Sequence, residues 1–153
     1  MSSARGIEIR ALTSTKGGMT DFYTPQTSDQ TILVQIPPHI IENLFVHKSQ
    51  TDQLLVVKGR FVLVTLINRC YEYVVLSDRT PVVAIIPPGV LHGAINLDLE
   101  PCVVVNAVLR HGEPNARDYI PRQPPIPYNL AIVRATLAQL DKQAIAPLGS
   151  CVT

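Results

Sequence analysis

The sequence predicts an all-β barrel or sandwich, and three observations support this. Nearly half of the residues are apolar, but tryptophan is absent and aromatic side chains are few; the valine, isoleucine and leucine that remain favour strands over helices. Thirteen prolines and eight glycines are spread along the chain, as expected for short strands joined by tight turns. Apolar runs recur about every 8–12 residues with turn residues between them, which is typical of all-β folds.

Ten segments have the composition and the flanking turn residues of strands. They cover residues 7–12, 19–23, 31–36, 43–47, 53–58, 61–67, 71–76, 81–86, 90–97 and 102–109. Tight hairpin corners are predicted at Lys58-Gly59-Arg60 and at Asn68-Arg69. The run 61–64 is apolar on both faces, so we expect it to lie between the barrel interior and a second layer or another subunit.

After residue 109 the chain becomes polar and rich in proline, which predicts an extended cover strip over 110–128. Asn129 can cap a helix from 130 to about 143, whose apolar side chains, Leu130, Val133, Leu137 and Leu140, recur at helical spacing. We therefore predict one domain over 1–153, with a barrel core at about 30–110 and the cover strip and helix at about 111–145.

Charge and hydropathy exclude several classes of function. The net charge is +1 and there is no basic block, so we expect no nucleic-acid partner. No apolar run approaches the roughly 20 residues of a membrane helix, and residues 1–30 do not have the pattern of a signal peptide. We expect no membrane partner and a cytoplasmic location. Cys70, Cys102 and Cys151 lack metal-site spacing and are expected to be buried, reduced thiols.

The most informative segment is 87–96, where a Pro-Gly turn signal precedes His92 and Asn96. Strand alternation places these two side chains on one face. An earlier segment carries His47, then Asp52, then Gly59 after six intervening residues. Together these segments resemble the two conserved motifs of the cupins, and the resemblance implies a jelly-roll barrel with its chemistry inside.

The resemblance also suggests an alternative, a bound metal. A cupin metal normally takes three histidines and a carboxylate, but Ser49 stands at the second histidine position. The remaining set of His47, Asp52 and His92 can hold iron(II) or another divalent transition metal. Without a metal, each histidine is expected to be hydrogen-bonded to a neighbour in the core.

Within the cupins, the chain is similar to dTDP-4-dehydrorhamnose 3,5-epimerases and their relatives, which are metal-free and act on nucleotide sugars. The matching residues are His47, Gln50, Gly59-Arg60, Arg69, Pro87, Gly89 and His92-Gly93. The resemblance implies that His47 is the catalytic base. It also implies that a family lysine falls on Asp52 and a family tyrosine near Val105. The acid that partners the base comes from the family's C-terminal region, where Asp141 is a candidate by location.

Three classes of function follow. The first is an epimerase-like, isomerase-type cupin that binds a sugar or sugar nucleotide without a cofactor, with His47 and Asp52 as catalytic residues. Gln50, Arg69, His92 and Asn96 are its binding candidates, although Asn96 is expected rather to hydrogen-bond the turn that presents His92. The second class is a metal-dependent dioxygenase or isomerase, and the third is a non-catalytic small-molecule-binding cupin.

Two structural predictions accompany these classes. The doubly apolar strands indicate a homodimer. His47 is predicted to face the barrel interior, close to His92 and to an acidic or polar partner. Arg110 and Arg117 in the cover strip are expected to be solvated loop charges, although either could clamp a phosphate or carboxylate. Tyr119 and Tyr128 are expected to pack the strip down.

Overall fold

Two antiparallel sheets face each other in the computed structural model, which describes residues 6–113 and 117–142. The strands are β1 (Glu8–Ala11), β2 (Ser14–Gly17), β3 (Thr20–Tyr23), β4 (Gln30–Ile36), β5 (Ile40–Ile41), β6 (Leu44–Val46), β7 (Gln50–Lys58), β8 (Arg60–Ile67), β9 (Cys70–Ser77), β10 (Val82–Ile86), β11 (Leu91–Asn96), β12 (Cys102–Arg110) and β13 (Ile120–Arg122). One helix, α1 (Leu130–Lys142), follows them.

The strand order is that of a cupin jelly roll with a C-terminal helix, so the predicted fold class is confirmed. The first sheet runs β1-β10-β7-β12-β4 and the second β13-β6-β11-β8-β9, with β5 also paired to β11. β2 and β3 form a separate hairpin. β1 pairs with β10, so the first sheet includes a strand that precedes the predicted barrel core of about 30–110.

Strand β8 shows why some strands are apolar on both faces. Phe61 and Leu63 belong to the core between the sheets. Val62 and Val64 point the other way, into a second cluster that includes Val133 of α1. The second layer over this strand is therefore the chain's own helix, and its apolar outer face gives no support to a dimer.

The predicted helix is confirmed at residues 130–142. Asn129 Oδ1 accepts a hydrogen bond from the Ile132 amide at 3.2 Å, which caps the first turn. Val133 and Leu137 are the buried residues of the helix, and both pack in the cluster with Tyr73 and Val75 of β9.

Both hairpin corners are where the sequence predicts them. Gly59 has a φ of 87° between β7 and β8, a left-handed conformation that glycine adopts without strain. Asn68 and Arg69 have φ values of 53° and 63° between β8 and β9, as a two-residue hairpin turn requires.

Several elements differ from the prediction. β7 begins at Gln50 rather than at 53, and β2, β5 and β13 were not predicted. β13 lies within the predicted cover strip, where Ile120 pairs with Val46 of β6. β2 is polar and β5 and β13 are only two and three residues long, so their own sequences carry little strand signal and pairing with partner strands defines them.

The two cysteines within the described residues differ in burial. Cys102 is buried, and burial raises the pKa of its thiol to about 12. Cys70 is exposed, because it begins β9 directly after a hairpin turn, so the prediction of a buried thiol is wrong there. Cys151 lies outside the described residues.

No helix within 6–113 and 117–142 is long and apolar enough to cross a membrane.

Candidate functional site

A cavity of about 300 Å³ lies between the two sheets. Its inner wall is aliphatic and aromatic, with Ile36, Leu54, Phe61, Leu63 and Val104 among the contributing side chains. Its polar lining comes from two histidines, two carboxyl groups, two side-chain amides and a tyrosine: His47, His92, Asp52, Glu42, Gln50, Asn106 and Tyr119. A ligand here meets an apolar wall and a compact set of acid-base groups, a combination typical of small-molecule sites.

Asp52 is the centre of the polar set. Its Oδ1 accepts hydrogen bonds from Gln50 Nε2 at 2.6 Å and Asn106 Nδ2 at 3.0 Å. Its Oδ2 lies 3.4 Å from His47 Nε2 and 3.3 Å from His92 Nε2. Burial raises the pKa of Asp52, but the interactions with His47, His92, Asn106 and Gln50 together outweigh it and hold the pKa far below its usual range. The carboxylate is therefore ionised at neutral pH.

His47 follows β6 and is oriented by a residue from the cover strip. Its Nδ1 lies 3.1 Å from the main-chain carbonyl of Asp118. A carbonyl oxygen only accepts, so Nδ1 carries the hydrogen. The lone pair of the neutral ring is then on Nε2, and Nε2 donates to Asp52 Oδ2 when the ring is protonated. Burial lowers the pKa of His47, but the hydrogen bond and charge of Asp52 together with the Asp118 carbonyl raise it by more, and the net pKa is above the ordinary value.

Asp118 is a positioning residue that the sequence did not reveal. It is buried, and its carboxylate accepts hydrogen bonds from the Lys48 amide at 2.6 Å and the Ser49 amide at 3.2 Å. These bonds tie residues 117–118 to the start of β7, which places the Asp118 carbonyl against His47. The sequence carries no local signal for this contact because the partners are about 70 positions apart.

His92 on β11 has a matching arrangement. Its Nδ1 lies 2.9 Å from the Val90 carbonyl, so its lone pair is also directed through Nε2 towards Asp52. The turn before it contains Gly89, with a φ of 84°, whose amide donates to the His47 carbonyl at 2.8 Å. The two rings lie 5.9 Å apart between centroids. The predicted placement of His47, near His92 and beside an acidic partner, is confirmed.

The two amide side chains that donate to Asp52, those of Gln50 and Asn106, also accept hydrogen bonds from other residues. Arg110 Nη1 donates to Gln50 Oε1 at 2.6 Å, and Asn106 Oδ1 accepts from the Gln53 amide at 2.9 Å. Gln50 and Asn106 therefore use both ends of their amides inside the network. They hold Asp52 in place rather than presenting free groups to a ligand.

Glu42 and Tyr119 line the cavity although the sequence did not predict them as site residues. Glu42 is part-buried, and burial raises its pKa more than the Ala94 amide and the charge of His92 lower it. The Tyr119 ring stacks on Phe45 at 4.8 Å and lies 6.1 Å from the His47 ring. Tyr119 was expected to pack the strip down; it does so against Phe45, at the edge of the cavity.

Three predicted site residues lie away from the cavity lining. Arg69 is exposed in the β8–β9 turn, so this position does not fit a role in binding. Asn96 is buried at the far end of β11, where its Nδ2 donates to the Ile36 and Glu100 carbonyls; it holds the loop after His92, not the turn before it. Asp141 pairs with Arg60 at 2.6 Å, and the acid that contacts His47 is Asp52.

The structure places the two residues that the sequence resemblance aligned with a family lysine and a family tyrosine. Asp52 puts a negative charge in the cavity, between two histidines. Val105 points away from the interior, since its neighbours Val104 and Asn106 on β12 line the cavity. The phenol that lines the cavity is that of Tyr119.

The same three side chains could hold a metal ion. One ligand atom each from His47, Asp52 and His92 lies within 4.8 Å of the others. Both Nδ1 atoms face carbonyl oxygens, an outer hydrogen bond that is common for metal-ligating histidines. Asp52 is held by two amides, so the donor set fits a 2-His-1-carboxylate site.

Solved structures described as sugar isomerases and epimerases have the same fold, while no family model and no curated protein matches the chain. A dTDP sugar isomerase from Desulfovibrio desulfuricans has a TM-score of 0.65 and 15% identity, over 82% of this chain and 91% of that one. The sugar 3,4-ketoisomerase QdtA from Thermoanaerobacterium thermosaccharolyticum, in complex with TDP, has a TM-score of 0.64 and 14% identity, over 89% and 98%. NovW, a 4-keto-6-deoxy sugar epimerase from Streptomyces spheroides, has a TM-score of 0.65 and 13% identity, over 82% and 74%. The resemblance seen in the sequence is thus confirmed for the fold.

Proposed function

We propose that this chain binds a sugar nucleotide with the sugar in the cavity, and that it catalyses an isomerase-type proton transfer there without a cofactor. The observation that carries the proposal is the placement of His47 on the cavity wall, with its lone pair on Nε2 and an ionised Asp52 at 3.4 Å. The neighbours described as acting on dTDP sugars, and the one in complex with TDP, support this class of ligand.

The proposed chemistry is removal of a proton from a carbon beside a ketone. Neutral His47 accepts that proton on Nε2, and Asp52 stabilises the imidazolium that forms. The electron pair moves to the ketone oxygen as an enolate. Where the deprotonated carbon bears a hydroxyl group, the proton returns to the former ketone carbon and the hydroxyl proton moves to the new oxygen anion, which gives the isomeric ketone. Raised pKa and fixed tautomer suit His47 to both steps, while His92 and the amides hold Asp52 in place.

Hydrogen-deuterium exchange tests this function directly. TDP-4-keto-6-deoxyglucose, the ligand of a QdtA variant, would be incubated with the protein in D2O and followed by mass spectrometry. We expect deuterium at a carbon beside the ketone, lost in His47→Gln. Binding without exchange would support the non-catalytic alternative and reject the isomerase.

Binding is measured separately by thermal unfolding with TDP. A ligand at 100 times its dissociation constant stabilises the folded state by about 2.7 kcal/mol. No shift at millimolar TDP or TDP-sugar would argue against a sugar-nucleotide site altogether.

A second candidate is a metal-dependent cupin enzyme, a dioxygenase or isomerase. It is favoured by the two Nε2 lone pairs that converge on one Asp52 oxygen, at 3.3 and 3.4 Å. A divalent transition metal held there would polarise a ligand oxygen as a Lewis acid. Elemental analysis of protein purified without chelator decides: near-stoichiometric metal that is absent in His92→Ala, and present in the control His39→Asn, would replace the first candidate with this one.

We also propose a homodimer, formed through the outer face of the first sheet. Leu33 and Val57 on this face are 67% and 55% exposed, and Val105 between their strands pairs directly with Leu33 and Leu55. A charge at this face should separate the subunits. Light scattering at micromolar concentration is expected to give a dimer for the wild type and a monomer for Leu33→Glu; a monomeric wild type would end the proposal.

A further inference from the structure

A bulge in the second sheet directs Glu42 into the cavity. Ile41 pairs with Ile95 and Phe45 with His92, so the chain advances by four residues from Ile41 while β11 advances by three. One residue between β5 and β6 is therefore extra. Such bulges bend a strand and redirect a side chain, and they are frequent beside active sites.

Glu42 takes part in the ladder with its side chain. The Glu42 amide donates to the Ala94 carbonyl at 3.0 Å. The Ala94 amide donates in return to Glu42 Oε2 at 3.2 Å. This anchors one carboxyl oxygen to β11 and leaves the group lining the cavity.

Two further contacts hold the bulge in place. A Cβ on Gly93 would lie 2.6 Å from the Asn43 carbonyl oxygen, so the bulge packs against β11 where a side chain could not fit. On its other side, the Tyr128 hydroxyl donates to the Glu42 carbonyl at 2.9 Å. Gly93 has no left-handed φ that would itself require glycine. The close approach of the bulge that carries Glu42 therefore explains the glycine beside His92.

Glu42 and Asp52 reach the cavity from different sheets. Asp52 lies on β7 of the first sheet, and Glu42 lies between β5 and β6, which pair with β11 of the second. Asp52 accepts from two side-chain amides, lies beside two histidines and is ionised, so it has no proton to give at neutral pH. Burial favours the protonated form of Glu42, so it is the carboxyl group better suited to donate one.

We propose that Glu42 is a second proton-transfer residue of this cavity, which protonates the ligand's ketone oxygen as His47 takes the proton from carbon. The inference rests on the proposed isomerase function. The C–H bond breaks, its proton goes to His47 Nε2, and its electron pair forms the carbon–carbon double bond. The carbonyl electrons move to oxygen, and that oxygen receives the Glu42 proton to give an enol. The reverse transfers restore both residues, so no oxidant or reductant is needed.

Deuterium exchange into TDP-4-keto-6-deoxyglucose tests the assignment with Glu42→Gln. Glutamine keeps an oxygen for the Ala94 amide but has no acidic proton. We expect the exchange rate to fall by about 10²-fold or more, with the dissociation constant for the ligand unchanged and partial recovery in Glu42→Asp. Glu100→Gln, at an exposed residue outside the cavity lining, is the matched control and should exchange at the wild-type rate.

The outcomes separate the inference from the function on which it rests. Exchange in Glu42→Gln at the wild-type rate overturns the role of Glu42 and leaves the isomerase proposal standing. Absence of exchange in the wild type overturns both. A lower exchange rate supports the role of Glu42 when Glu42→Gln and Glu42→Asp unfold within a few degrees of the wild type. An exchange rate that falls only together with ligand affinity assigns Glu42 to binding and rejects the proton transfer.

Discussion

The two carboxyl groups of the cavity differ in their hydrogen-bond surroundings. Asp52 Oδ1 accepts from two side-chain amides, and its Oδ2 lies 3.4 and 3.3 Å from the Nε2 atoms of two histidines. Among the described residues, Glu42 accepts from one backbone amide, that of Ala94, at 3.2 Å. Burial raises the pKa of both groups, but it is outweighed only at Asp52. The same residue chemistry thus yields a permanent anion at one place and a titratable acid at another.

This difference shows how a small cavity can separate two roles. A carboxylate with many donors costs little to keep ionised, so it can hold two histidines and stabilise positive charge between them. A carboxyl group with few donors changes its protonation state at a smaller cost and can exchange a proton with a ligand. The comparison predicts that the two residues differ in their contributions to stability.

The largest expected effect is that of Asp52→Ala. Removing this carboxylate leaves the two amide donors and the two histidines around it without their partner, and breaking a buried charged network costs about 3–5 kcal/mol of unfolding free energy. Glu42→Ala should cost about 1 kcal/mol, since it removes one hydrogen bond. Urea unfolding measures both.

Asp52→Asn sharpens this test because it removes the charge and keeps the shape. The amide oxygen can still accept from Gln50 and Asn106, and the amide hydrogens can donate to the two Nε2 lone pairs. Most of the stability lost in Asp52→Ala should therefore return. If Asp52→Asn is as unstable as Asp52→Ala, the charge itself, and not the hydrogen bonds, dominates the cluster.

A smaller effect is expected for Gly93→Ala, which tests the bulge. The added Cβ would lie 2.6 Å from the Asn43 carbonyl oxygen, and overpacking of this kind typically costs about 1–3 kcal/mol. Gly89→Ala is the control: its Cβ meets nothing within 4 Å but its φ is 84°, so its cost of about 1 kcal/mol comes from backbone strain alone. If both variants lose the same unfolding free energy, and Gly93→Ala still catalyses deuterium exchange, the bulge tolerates a side chain at position 93.

The contrast between local and distant contacts also explains what the sequence could predict. The alternation of apolar residues and the turn glycines predicted the strands of the barrel, and the Pro-Gly signal before His92 placed that ring inside. Each of these depends on neighbouring residues. The motif residues also predicted an acidic or polar partner for His47, but they did not identify it as Asp52, which the structure places 3.4 Å from His47 Nε2.

Residues that enter the site from elsewhere in the chain were missed for a physical reason. Asp118 acts through its main-chain carbonyl, for which no residue type is diagnostic. Glu42 enters through a bulge, and the extra residue is recognisable only once β5 and β6 are paired with β11. Asn96 shares a face with His92 but lies beyond the cavity, because four residues of strand span about 13 Å.

The smallest expected effect is a pH dependence of stability that originates at His47. Its folded-state pKa is raised, so its contribution is fully present below the unfolded value of about 6.5 and is lost as pH rises through the folded pKa. Each unit of difference is worth about 1.4 kcal/mol. The unfolding free energy of the wild type, measured by urea titration from pH 6 to pH 9, should therefore fall.

His47→Gln removes the titrating group, and Asp52→Asn removes the charge that raises its pKa, so both variants should show a flatter profile. His39→Asn, at an exposed residue whose φ of 55° suits asparagine, should keep the wild-type slope. A wild-type slope in Asp52→Asn would mean that the Asp118 carbonyl alone raises the pKa of His47, and that Asp52 does not act as its charge partner.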